Sequence, residues 1–286
     1  MAHSPLATPS ETLAVLKRHG LATKKALGQH FLVDDNVVGR ILALADLTGT
    51  ETVVEVGPGI GTLTAALCEH AGAVVAVERD ADLLPVLAET TAACERLAVV
   101  RADAVAVSPA MLAEPFGPPV ALVANLPYAV AATVVLRFFE ELPSLRSATV
   151  MVQSEVAARM AATPGGKDYG AYTVKLRLLA RPAGRFPVAR SCFLPPPRVD
   201  SAVLRLERAP LAQDPEALAA AARAADAAFG QRRKTIRNSL KSVLGLDAAQ
   251  VDAALDVAGI DGGARAETLD AERFLALGEA LRDRLL

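Results

Sequence analysis

Cysteine is scarce in these 286 residues, and the three present, Cys68, Cys94 and Cys192, form no C-x-x-C pair. That argues against a disulfide framework or a zinc site and suits a reducing cytoplasm. The four histidines (His3, His19, His30, His70) show no metal-ligand spacing either, so no metal is expected. Aromatic residues make up only 4%, which makes the position of each one informative. The first twenty residues lack the apolar stretch of a secretory signal, and none is expected. Polar bias is missing too: 52% of the residues are hydrophobic, enough for a substantial core and too many for disorder.

Charge is absent from one long run. No charged side chain lies between Glu114 and Arg137. A membrane span needs ~20 mostly apolar residues, and this run would qualify by length alone. Asn125, Pro127 and Tyr128 interrupt it, and it reads instead as strand, turn and helix. No membrane segment is needed.

Acidic residues are missing from two other stretches and nearly so from a third. The net charge is −2, yet residues 171–198 hold six Lys/Arg and no acid. Residues 229–246 hold Arg232, Arg233, Lys234, Arg237 and Lys241, again with no acid, and the basic N-terminal segment 1–33 has only Glu11 against Lys17, Arg18, Lys24 and Lys25. A near-neutral total therefore hides basic faces suited to a polyanion.

The middle of the chain alternates β-branched runs with amphipathic ones, the pattern of a parallel sheet covered by helices. Strands are expected at 52–56, 73–78, 97–103, 120–125 and 148–153, with helices at 34–46, 62–71, 80–93, 129–142 and 154–162. Residues 163–172, TPGGKDYGAY, read as a glycine-rich surface loop. A hairpin-like β region is expected over about 173–207. Only helical signals follow, including an alanine-rich stretch at 217–228, which places a domain boundary near Ala209. There is no internal repeat.

The segment EVGPGIGTLT (55–64) follows a strand and opens a helix, where doubly wound folds bind adenosine-bearing ligands. Gly57 and Gly59 allow the backbone to approach such a ligand. The spacing G-x-G-x-G is one residue short of the dinucleotide fingerprint G-x-G-x-x-G. Glu78, ending the next strand, suits a ribose diol, and Asp103, ending the third, suits an adenine amine. Both serve NAD and S-adenosylmethionine alike. The fourth strand ends in Asn125-Leu126-Pro127-Tyr128. An exocyclic base amine is a poor nucleophile, because its lone pair is delocalised into the ring. The Asn125 side-chain oxygen and the Leu126 carbonyl can accept its two N–H groups and draw the lone pair towards a methyl donor. Pro127 stiffens the turn, and Tyr128 offers a ring face to the base or to a sulfonium cation.

With these residues in place, the sequence resembles the ribosomal RNA adenine dimethyltransferases, and within them the small-subunit branch. The matching pieces are LGQHFL (27–32), EVGPGIGTLT (55–64), NLPY (125–128), FLPPPRVDSAV (193–203) and FGQRRKTIRNSL (229–240), in that order. The resemblance implies S-adenosylmethionine as cofactor and N6,N6-dimethyladenosine at two adjacent adenosines of small-subunit (16S) rRNA as product, made on a 30S-like particle. It implies that His30, Leu32, Gly57, Glu78, Asp103 and Asn125 line the cofactor site and that Phe193, mounted before Pro195, Pro196 and Pro197, stacks on the flipped adenine opposite Tyr128. The position of His30 is often asparagine in that family. Arg232, Arg233, Lys234, Arg237 and Lys241 are expected to meet RNA phosphate.

The expectation is thus an α/β protein: a Rossmann-like class I methyltransferase sheet over 1–208 and a small all-helical RNA-binding domain over 209–286. It is expected to be a cytoplasmic monomer. Large-subunit rRNA dimethylation, a non-catalytic RNA-binding assembly factor on the same fold, and an NAD-linked oxidoreductase are the other readings.

Overall fold

A computed structural model describes residues 2–21, 29–231 and 233–285. Two compact units emerge, Met1–Ala157 with Pro182–Glu207, and Ala158–Arg181 with Arg208–Leu286. Residues 158–181, expected in the first domain, thus pack with the C-terminal helices.

In the first unit, α1 (Pro9–Arg18) precedes β1 (Phe31–Leu32) and α2 (Asp35–Ala45). Asp34 caps α2 by accepting from the Asn36 and Val37 amides. Next come β2 (Thr52–Val56), α3 (Thr62–His70), β3 (Ala73–Glu78), α4 (Leu84–Thr90), β4 (Leu97–Arg101), α5 (Pro109–Ala113) and β5 (Ala121–Asn125). β3 is buried along its whole length, as strands covered on both faces are. The uncharged run resolves into β5, a turn and α6 (Ala131–Glu141). Ala131, Val134, Val135, Phe138 and Phe139 form the buried stripe of α6, at the spacing of one helical face. No helix among the described residues is long and apolar enough to cross a membrane.

β6 (Ser147–Gln153) and α7 (Ser154–Met160) follow, then α8 (Ala171–Arg177), which replaces the beginning of the expected β region. Its alternating Val174, Leu176 and Leu178 imitate a strand. Thr173, Val174 and Leu176 are nonetheless buried together on a helix, and the Thr173 hydroxyl donates to the Arg159 carbonyl at 2.8 Å. Tertiary packing overrides local propensity here. β7 (Ala180–Val188), β8 (Phe193–Leu194) and β9 (Ser201–Arg208) complete the strands. The seven-stranded sheet runs β4-β3-β2-β5-β6-β9-β7, parallel from β4 to β6, with β9 antiparallel to β6. Pro182 and Pro187 sit in β7, an edge strand, the place in a sheet where proline is tolerated. β1 and β8 form a separate antiparallel pair, with Phe31 opposite Leu194 and Leu32 opposite Phe193.

Cys68 and Cys94 are bonded as a disulfide with Cα atoms 5.7 Å apart, where the cysteine spacing had argued against a disulfide framework. The sequence separation of 26 hides a pair that the α3–β3–α4 crossover brings together.

In the second unit, α9 (Pro215–Phe229) is followed by α10 (Ile236–Leu244), α11 (Ala248–Val257), α12 (Ala271–Ala280) and α13 (Arg282–Leu285). Seven alanines of α9 are buried. Gly278 of α12 lies so close to Ala220 and Ala221 that a Cβ there would come within 2.4 Å of the Ala221 amide nitrogen. The alanine-rich composition is therefore a close helix–helix seam.

Candidate active site

A cavity of about 560 Å³ opens at the carboxyl ends of β2, β3 and β5, the side of an open α/β sheet where ligands bind. His30, Leu32, Gly57, Gly59, Glu78, Asp103, Asn125, Leu126, Pro127 and Tyr128 all line it. Phe193 does not.

Gly57 and Gly59 hold φ of 71° and 61°, values that L side chains seldom adopt. A Cβ on Gly57 would stand 3.2 Å from the Pro127 ring, so the glycine turn and NLPY fit each other. The Gly59 amide donates to Glu78 Oε2 at 3.3 Å, and the Asp80 amide donates to Glu78 Oε1 at 2.7 Å. Burial raises the Glu78 carboxyl above its ordinary pKa, and these amide bonds partly offset the rise. Asp103 Oδ1 accepts from the Val105 amide at 3.1 Å, and its Oδ2 lies 3.2 Å from Arg79.

Sequence reading missed Glu55. This carboxyl is 1% exposed, lines the cavity and has an Oε2 with no hydrogen-bond partner among the described residues. The hydroxyl of Thr62, also in the lining, is likewise unpartnered. Burial pushes the Glu55 pKa up to about 8; the Thr64 hydroxyl acts against the rise, and the Glu78 charge adds to it. The signal was an acid inside an otherwise buried strand, immediately before the glycine turn.

Asn125 ends β5, and its Nδ2 donates to the His30 carbonyl at 3.3 Å. One of its two N–H groups is thereby engaged, and no donor among the described residues reaches Oδ1. The Leu126 amide donates to the Met151 carbonyl at 3.1 Å and ties the turn to β6. The Tyr128 hydroxyl and the Ser201 hydroxyl are 2.6 Å apart, and burial raises the phenol pKa. The His30 ring stacks on Tyr128 with centroids 5.7 Å apart and planes inclined by 24°. His30 Nδ1 donates to the Pro195 carbonyl at 2.7 Å.

The expected place of Phe193 needs correction. Its ring is 2% exposed and packs among Leu32, Met151 and Val203. Neighbouring side chains on a strand point to opposite faces, and Phe193 takes the core face. Burying such a ring is worth ~1.5–3 kcal/mol, which exposure to a base would forfeit. The aromatic neighbour of Tyr128 is His30.

Outside the cavity, Arg233, Lys234, Arg237 and Lys241 are exposed, with Ile236, Ser239 and Leu240 buried on the other side of α10. Arg237 is not free, since its Nε lies 2.6 Å from Asp252. Arg232 falls outside the described residues, as do Lys24, Lys25, Leu27 and Gly28. Arg18 of the N-terminal segment pairs with Glu89 at 2.9 Å.

The residues fit an adenosine-bearing methyl donor: a backbone cradle that Cβ atoms would fill, acids at successive strand ends, and unpartnered polar atoms on the floor. No group of His, Cys, Asp and Glu among the described residues is arranged to hold a metal ion.

Comparison with known proteins agrees with this geometry. Residues 20–283 match the family model for ribosomal RNA adenine dimethylase. The ribosomal RNA small subunit methyltransferase A of Rhodococcus opacus is 44% identical, covering 94% of this chain and 92% of that protein. The protein of the same name from Geobacillus thermodenitrificans is 40% identical, covering 98% of each. The crystal structure of the 23S rRNA methyltransferase ErmE superposes with a TM-score of 0.65 at 32% identity, covering 88% of this chain and 99% of that one. A dimethyladenosine transferase from Plasmodium falciparum shares the fold, with a TM-score of 0.74 at 23% identity and coverage of 89% and 98%. The cavity, the NLPY turn and these matches over nearly the whole length lead to one conclusion: the chain belongs to the ribosomal RNA adenine dimethylase family.

Proposed function

We propose that this chain transfers methyl groups from S-adenosylmethionine to the N6 amines of two adjacent adenosines in small-subunit rRNA, giving N6,N6-dimethyladenosine on a 30S-like particle. It does so as a cytoplasmic monomer. The observation that carries the reading is the held amide of Asn125: one of its two N–H groups donates to the His30 carbonyl, which fixes the amide with its oxygen left to accept from an amine. The 40–44% identity to proteins named as small-subunit methyltransferases supports that target over the large subunit, where the named ErmE structure is 32% identical.

Glu78 would take the cofactor's ribose diol and Asp103 its adenine amine. Gly57 and Gly59 would give its chain a close backbone path. S-adenosylmethionine, when bound, supplies a methyl group on a sulfonium centre. Asn125 Oδ1 and the Leu126 carbonyl would accept the two N6–H bonds and turn the nitrogen lone pair towards that methyl. Tyr128, braced by Ser201, would hold the base plane. Positioning of this kind is worth up to ~7–11 kcal/mol where two reactants are aligned. The methylated nitrogen becomes acidic and releases its proton to water, so no general base is required. The target adenine leaves its stack at a cost of about a few kcal/mol before entering.

Labelled S-adenosylmethionine with two substrates tests the reading: small subunits lacking dimethyladenosine, and large-subunit rRNA. Label recovered as dimethyladenosine from the small subunit alone is expected. Label in large-subunit rRNA would reassign the target, and label in neither, with cofactor bound, would leave a binding factor.

A further inference from the structure

The glycine-rich loop at 163–170 has no part in the cavity described above. It is nevertheless firmly held within the second unit. The Gly165 amide donates to the Glu267 carbonyl at 2.7 Å, and the Tyr169 hydroxyl donates to the Leu269 carbonyl at 2.7 Å. Between these anchors the Gly166 amide bonds to Thr163 at 3.0 Å and the Tyr169 amide to Gly166 at 3.1 Å, closing two turns. The Tyr169 ring is 2% exposed and meets Phe229 edge-on at 6.2 Å. A loop of this composition would ordinarily be loose. Here it is fastened on both sides.

What the fastened loop presents is Lys167, exposed beside a cleft of about 430 Å³. Arg159 contributes a second exposed cation, and Asp168, Tyr169, Tyr172 and Phe229 line the same cleft. Neither Arg159 nor Lys167 has an ion-pair partner among the described residues. Two unpaired cations against one acid make the lining net positive, with Asp270, Glu272 and Arg177 acting on Tyr169 from beside it, and the half-buried Tyr172 and Phe229 give it an aromatic wall. Cation plus ring face is the pairing that single-stranded nucleic acid uses, phosphate to the charge and base to the ring. The volume lies in the range of small-ligand pockets, ~300–1,000 Å³.

We propose that this cleft takes one unpaired nucleotide of the RNA substrate, its phosphate held by Arg159 and Lys167 and its base against Tyr172 and Phe229. The Asp168 carboxylate accepts from the exocyclic amine of adenine, cytosine or guanine and disfavours uracil. This inference rests on the RNA-substrate reading above, and its site is separate from the methyl-transfer residues.

The test uses the full chain as Arg159→Gln with Lys167→Gln, exposed positions at which the melting temperature should not change. Binding to undermethylated small subunits is measured across salt, alongside methyl transfer. Expected is about a tenfold or greater fall in affinity, with a log–log salt slope shallower by about 0.7, because one single-strand phosphate is no longer neutralised. Turnover at saturating particle and the affinity for S-adenosylmethionine should stay as in the wild type. Unchanged affinity and slope would overturn the proposal. So would competition by free AMP at concentrations comparable to an RNA oligonucleotide, which would make the cleft a free-nucleotide site. If the wild type binds particles without methylating them, the enzymatic reading falls while the same comparison still decides the cleft. Failure of the wild type to bind RNA at all would remove both.

Discussion

Asn125 and His30 are 95 residues apart in sequence, yet the Asn125 side-chain amide donates to the His30 backbone carbonyl at 3.3 Å. The bond orients the amide from outside the sheet. It uses the His30 main chain, which an asparagine would offer equally. The imidazole is engaged elsewhere, stacked on Tyr128 and bonded to the Pro195 carbonyl at 2.7 Å. One residue thus braces both the amide and the ring of the NLPY turn.

Glu55 gives a pH signature. The unfolded chain releases this proton near pH 4.5, whereas the folded chain keeps it to about 8. Between those values the folded state binds more protons, so stability without cofactor falls as pH rises. Glu55→Gln should flatten most of that slope and exceed the wild type in stability above pH 8. Glu78, raised for the same reason of burial, leaves a residual slope of the same sign. Urea midpoints of both proteins across pH check this; parallel curves would remove Glu55 as the cause.

Gly57→Ala should damage the fold and the site together. Its φ of 71° disfavours any Cβ, and that Cβ would press on Pro127 at 3.2 Å. A left-handed conformation costs a non-glycine residue roughly 1–2 kcal/mol. Thermal melting should show that destabilisation, and titration calorimetry a weaker affinity for S-adenosylmethionine. Wild-type values in both would mean that the turn has room to spare.

Ser201→Ala should leave the Tyr128 hydroxyl without its 2.6 Å partner. A fully buried unpaired hydroxyl costs about 1–3 kcal/mol, and the half-buried Tyr128 should lie at the low end. Tyr128→Phe in the same chain should recover much of that stability, because it removes the stranded group. Chemical denaturation of the two single variants and the double variant measures the coupling; simple additivity would contradict it.

The basic helix should divide into unequal parts. Arg233→Glu with Lys241→Glu should weaken binding to small subunits and make its salt dependence shallower, by about 0.7–0.9 in log–log slope for each phosphate left without its cation. Arg237→Ala should have a smaller effect on binding, because its guanidinium already lies 2.6 Å from Asp252. Equal effects at all three positions would show that the Asp252 pair opens on RNA.

Elements carrying their own signal could be read from the sequence. The strands at 52–56 and 73–78 have the expected limits, since fully buried valine runs have little else to form. The glycine turn and NLPY could be placed at strand ends by their neighbours alone. Long-range partners could not. Nothing near Phe193 reveals that it sits opposite Leu32, nothing near Arg237 reveals Asp252, and nothing near Cys68 reveals Cys94. The helix Ala171–Arg177 is hidden by a strand-like alternation that only the packing of the second unit resolves. Glu55 is visible as an acid in a strand, but the glycines beside it carry the stronger local signal.

Single-turnover methyl transfer to undermethylated small subunits, comparing the wild type with Asn125→Ala, bears most directly on the assignment of the site. Removing one preorganised hydrogen-bonding group lowers catalytic rates by roughly 10²–10³. A fall of that size in dimethyladenosine formation is expected, with binding of S-adenosylmethionine still measurable. A wild-type rate in the variant would contradict it and take Asn125 out of the chemistry.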